Sequence, residues 1–151
     1  MTTQHFLLRS WGWECVVFYD TVREDADVII EVLKALGCSG VILESAESNL
    51  RSGEMNTGLT FTSVFERLSV SVISRATETG EFFNTMIHEA GHVATHIAET
   101  MGISQTGERK EYILGSIAQQ MFPVAVRYLC RCKMKIDRGD EGECLYSDHG
   151  N

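Results

Sequence analysis

Asn84-Thr85-Met86-Ile87-His88-Glu89-Ala90-Gly91-His92 is the stretch around which this 151-residue chain is organised. His88, Glu89 and His92 form an H-E-x-x-H pattern. On a helix, residues four apart lie one above the other on one face. Two imidazoles at that spacing can share one Zn²⁺. Glu89 follows the first histidine directly, so its carboxylate can reach a water on the same ion. Zinc lowers the pKa of such a water, and a neighbouring carboxylate can take its proton and pass it on.

The surroundings fit a helix. Met86, Ile87, Ala90, Val93, Ala94, Ile97 and Met101 supply apolar faces, and no proline lies between Thr79 and Met101. A long, mostly buried helix is predicted, with Thr77 or Thr79 as its cap. Glu78 and Glu81 favour its positive N-terminal end, and Gly102 ends it. The bland alternative is a helix whose two histidines are ordinary hydrogen-bonded residues beside a core.

Length and composition frame what this helix can belong to. One compact domain has about this size. The chain is 44% hydrophobic and 23% charged, as soluble globular proteins are. A formal net charge of −8 argues against nucleic acid or an anionic membrane as a general partner. No segment reaches the ~18 uninterrupted apolar residues of a membrane span. Arg9 and Glu14 interrupt the N-terminal apolar residues, and no secretory signal pattern precedes them. The expected location is a cytoplasm, that of a host included, or a virion assembled there. The five cysteines, an odd number, are then expected to be reduced.

Along the chain, Trp11 to Tyr19 is rich in aromatic and β-branched residues and predicts a strand. Trp11 and Trp13 would share one face of it, for core or interface packing. Val28, Ile29, Val32, Leu33 and Leu36 repeat at helical spacing over Val22 to Leu36, with Gly37 as the stop. Val41-Ile42-Leu43 predicts a short buried strand, and Ser45 to Gly58 a surface connection with room for one helical turn. Thr60 to Thr62 predicts a short strand paired with the next one. Arg67 to Arg75 alternates apolar and polar residues, which predicts a strand with one buried face. Its other face is serine-rich, which suits an edge. Gly107 to Cys132 predicts one more helical segment, kinked or broken near Gln119 by Pro123. The expected organisation is a single domain over residues 1–132 and a charged, loosely ordered tail over 133–151.

A zinc site with two histidines needs a third protein ligand. His96 lies eight residues beyond His88, ~12 Å along a helix, too far to join easily. It is expected beside the site or facing the core. Glu99 is farther still. Glu108 and Glu111 can return on the next helix, because Gly102 to Glu108 can span up to ~20 Å extended. Three residues apart, these two lie on roughly the same face, and spacing does not separate them.

Two histidines with a glutamate between them, and a glutamate on the following helix, resemble zincin metallopeptidases of the gluzincin type. The run Gly107-Glu108-Arg109-Lys110-Glu111-Tyr112-Ile113-Leu114-Gly115 is similar to small phage- or prophage-encoded peptidases of gut Bacteroidetes. So are Asn56-Thr57-Gly58-Leu59-Thr60-Phe61 and the strand ending Val72-Ile73, and the resemblance covers roughly residues 55–130. The resemblance implies a small zincin-like α+β domain. In it, a short, partly antiparallel sheet packs on the motif helix and an antiparallel return helix. It also implies Zn²⁺ held by His88, His92 and Glu108, with Glu108 chosen over Glu111 because it stands four residues before Tyr112. Glu89 becomes the general base and acid, and Tyr112 a stabiliser of the reaction intermediate, unless it faces the core. An edge strand should receive an extended peptide by strand addition, and Arg67 to Arg75 matches that position. The chain is far shorter than the large gluzincins and has no visible second lobe.

Two functions follow as expectations. One is a zinc-dependent hydrolase cleaving a peptide or protein substrate. The other is a non-catalytic phage protein of zincin fold that binds or builds and keeps the zinc. Substrate preference and oligomeric state are left open. Cys130, Cys132, Cys144 and His149 are weaker candidates for a second metal site, since C-x-C is not the usual knuckle. Asp137, Asp140, Glu141, Glu143 and Asp148 lack the order of a calcium loop and read as solvated charge.

Overall fold

A computed structural model describes residues 1–52 and 58–133, with side chains as far as Leu129. The tail beyond Lys133 and the side chains of Cys130, Cys132, Cys144 and His149 lie outside the described residues, as do the acidic calcium candidates.

Strand β2 (Trp13–Thr21) is the centre of the fold. Its aromatic and β-branched residues are buried on both faces. Strand β1 (Thr2–Leu8) pairs antiparallel with it after a 3₁₀ turn at Arg9–Trp11. On its other side β4 (Leu68–Ser74) runs parallel to β2, and β3 (Leu59–Ser63) pairs antiparallel with β4. The order is β1-β2-β4-β3, a mixed four-stranded sheet. Together with four helices it makes the protein α+β.

Period-two alternation sends the two faces of β2 into two separate cores. Trp13, Cys15, Val17 and Tyr19 join Ile73 against α3 (Thr79–Thr100) and α4 (Glu108–Lys133). Phe18, Val70 and Val72 pack on the opposite side against α1 (Ala26–Ala35) and α2 (Gly40–Ser52). Helix α3 contributes Phe82, Met86, Ala90, Val93, Ala94 and Ile97 to the first core. It ends at Gly102, whose φ of 64° is left-handed and costs glycine little.

Three expectations are corrected. Val41-Ile42-Leu43 is not a buried strand but the start of α2, with Val41 80% and Ile42 64% exposed. Three apolar residues carry too little periodicity to separate strand from helix. The inward stripe of α2 is Ala46 and Leu50, with Leu43 beside it, at helical spacing. The helix therefore also takes most of what read as a surface connection.

The second correction concerns β4, which is interior, while β3 is the edge. The serine face of β4 is buried rather than solvated, because its hydroxyls find partners. Trp13 Nε1 donates to Ser69 Oγ at 3.0 Å, Ser69 Oγ pairs with Thr62 Oγ1 at 2.7 Å, and Ser71 Oγ with Thr60 Oγ1 at 3.0 Å.

Third, of the kink or break expected at Pro123 the break does not occur, and α4 runs on from Glu108 to Lys133. Proline removes the N–H that would meet the carbonyl of Gln119. Next to that gap, Gln4 Nε2 donates to Gln120 O at 2.7 Å, and Tyr19 Oη donates to Gln4 Oε1 at 2.6 Å. This side chain of β1 ties β2 to the proline turn of α4. Tyr19 itself is buried in this network, and burial pushes its phenol well above its usual range.

Among the described residues, no helix is long and apolar enough to cross a membrane.

Candidate metal and proton-transfer site on helix α3

The histidine spacing acquires geometry on α3. His88 Nε2 and His92 Nε2 converge to 3.0 Å, with ring planes 85° apart and centroids separated by 4.6 Å. Both rings are exposed on the flank of the helix. Two nitrogens 3.0 Å apart can both lie about 2.0–2.1 Å from one zinc ion. Without an ion, one imidazole must donate to the other. The donor set therefore fits two ligands of a shared metal.

Glu89 takes the next position round the helix and points inward. It is only 2% exposed, and it is the one charged side chain among the buried described residues. A buried carboxylate is costly unless hydrogen-bonded. Thr60 supplies the bond, its Oγ1 donating to Glu89 Oε2 at 2.6 Å. Gly58 supplies the space. A Cβ at that position would lie 2.5 Å from Glu89 Cγ and 2.6 Å from Oε1.

Gly58→Ala is therefore expected to displace the Glu89 side chain. Position 58 is not left-handed, so crowding rather than backbone strain sets the effect. Overpacking of this kind costs ~1–3 kcal/mol. Urea unfolding would measure it, and a variant as stable as the natural chain would contradict the close approach.

His96 is one more turn along. Its Nδ1 lies 2.9 Å from Thr62 Oγ1, and its ring is 6.3 Å from that of His92. It faces the sheet rather than the histidine pair. Burial lowers its pKa, with Glu99 opposing that and His92 reinforcing it.

The structure does not bring Glu108 to His88 and His92. Among the described residues, no three His, Cys, Asp or Glu side chains are gathered closely enough to hold a metal. The reason is helix phase. The buried stripe of α4 is Ile113, Ile117, Met121, Ala125 and Tyr128. At ~100° per residue, Glu108 and Tyr112 lie on nearly the opposite side of the helix from the middle of that stripe. Both, and Glu111, are exposed. Tyr112 is 68% exposed, so it does not face the core either.

Gly58, Thr60, Thr62, Ser69 and Ser71 belong to the site and were not singled out by the sequence pattern as such. A signal was present. Thr-x-Thr at 60–62 and Ser-x-Ser at 69–71 put hydroxyls on one face of two neighbouring strands. The register pairs them, Thr60 with Ser71 and Thr62 with Ser69.

No protein-family model, curated protein or solved structure matches this chain.

Proposed function

We propose that this protein is a zinc-dependent hydrolase of zincin-like type that cleaves peptide bonds. The observation that carries the proposal is the 3.0 Å convergence of His88 Nε2 and His92 Nε2 beside a buried, hydroxyl-held Glu89. Histidines with only a structural role have no need to meet at a common point next to a buried carboxylate. His88 and His92 would hold the ion. When bound there, zinc would polarise a carbonyl and make a water more acidic at neutral pH. Glu89 accepts the proton of the attacking water and returns it to the leaving amine.

The substrate is proposed to lie along β3. That strand is the edge of the sheet, and it borders the flank of α3 that carries Glu89 and His96. An extended peptide can add to such an edge through its backbone. Leu59–Ser63 thus takes the place expected for Arg67 to Arg75.

One observation favours the second hypothesis, a non-catalytic protein that holds zinc. Among the described residues, no third His, Cys, Asp or Glu joins the pair. Incubation of the zinc-loaded chain with a quenched-fluorescence peptide library separates the two. Cleavage that a zinc chelator stops is the result expected. Bound zinc with no cleavage would favour the second hypothesis, and no bound zinc would sink both.

A further inference from the structure

We infer that Thr60, backed by Ser71, is a positioning residue for Glu89, holding one carboxylate oxygen and so fixing the orientation of the carboxylate. This inference rests on the proposed hydrolytic role of Glu89.

The directions of the hydrogen bonds carry it. Thr60 Oγ1 donates its single proton to Glu89 Oε2, 2.6 Å away. Ser71 Oγ, 3.0 Å from Thr60 Oγ1, must then be the donor of that pair. The result is a one-way chain from Ser71 through Thr60 to Glu89. Threonine is β-branched and stiff at χ1, so its hydroxyl is held where the strand places it. Glu89 Oε1 lies on the side toward Gly58, where the absence of a Cβ leaves room for this rotamer.

Stability alone does not explain the arrangement. Replacing buried ionic groups with well-packed apolar ones is often neutral or stabilising. Leu59 and Phe61, the neighbours of Thr60 on the other face of β3, do pack on an apolar core. Only the face beneath α3 is built of hydroxyls, and it lies under Glu89 and His96. The polar stripe follows the position of the carboxylate.

Thr60→Val keeps the shape and removes the hydroxyl, whereas Thr60→Ser keeps the hydroxyl. Both are tested in the full chain. With zinc bound and the peptide library as substrate, Thr60→Val is expected to lower kcat ~10–100-fold, the usual effect of losing a supporting partner. KM and zinc content should not change, and Thr60→Ser should recover most of the rate. A purely structural role would not give this split or this rescue.

A second readout does not need turnover. In urea unfolding of the metal-free chain, Thr60→Val should destabilise more when Glu89 is present than in the Glu89→Ala background. Equal destabilisation in both backgrounds would overturn the inference, as would an unchanged kcat in Thr60→Val. If the natural chain cleaves nothing, the proposed function falls, and the unfolding cycle still decides whether Thr60 holds Glu89.

Discussion

Glu89→Gln is expected to reduce peptide hydrolysis ~10²–10⁴-fold, the contribution a positioned general base makes. Glutamine has the same shape as glutamate. Its amide oxygen can still accept from Thr60 Oγ1, which now meets Glu89 Oε2 at 2.6 Å. What it loses is the ability to take up a proton. His88 and His92 are untouched, so zinc content should stay the same. Stability should stay equal or rise, because a 2% exposed charge is replaced by a neutral group. Loss of rate with zinc and fold intact would assign Glu89 to the chemistry. A variant that still hydrolyses at the natural rate would remove Glu89 from the mechanism.

Trp13→Ala is expected to give the largest loss of stability in the chain. Trp13 is fully buried at the start of β2, in the core between the sheet and helices α3 and α4. Truncating a buried aromatic residue to alanine costs ~3–5 kcal/mol. Domains of this size are stable by ~5–15 kcal/mol, so a large share would be lost. Trp13→Phe separates two parts of that effect. It keeps most of the ring volume and removes the Nε1 donor to Ser69 Oγ. Ser69 Oγ keeps its bond to Thr62 Oγ1, so the loss is that of one hydrogen bond, ~0.5–1.5 kcal/mol. Urea unfolding followed by circular dichroism measures both. If Trp13→Ala costs less than ~1 kcal/mol, the packing described for β2 is wrong.

The motif helix was legible because its signals agree. Apolar spacing, the absence of proline and Gly102 as a stop all point to a helix ending near Met101, and α3 runs from Thr79 to Thr100. The pairing of β3 with β4 was legible too, since alternation marks Arg67 to Arg75 and a short strand was expected beside it at Thr60 to Thr62. Strand β1 drew no prediction, although Thr2–Leu8 forms the other sheet edge. Val41 to Leu43 misled because helix α2 carries its identity in Ala46 and Leu50, beyond that short run.

The site divided along the same line. Contacts within one helix follow from spacing, and His88 and His92 meet as four-residue spacing requires. Contacts between elements do not. Glu108 was reachable by chain length, but the core stripe of α4 turns its first residues to solvent. The serines of β4 looked like a solvated edge because a sequence does not state which strands flank a strand. Only the order β1-β2-β4-β3 reveals that they lie under α3.

His88 and His92 are proposed to hold a zinc ion together. Metal content of the purified full chain, measured by mass spectrometry after zinc loading and desalting, tests it most directly. One zinc per natural chain is expected, lost in His88→Ala and in His92→Ala and retained in Glu89→Gln. Retention is also expected in Glu108→Ala, whose side chain stands apart from the pair. A natural chain that holds no zinc, or histidine variants that hold as much as the natural chain, would contradict it.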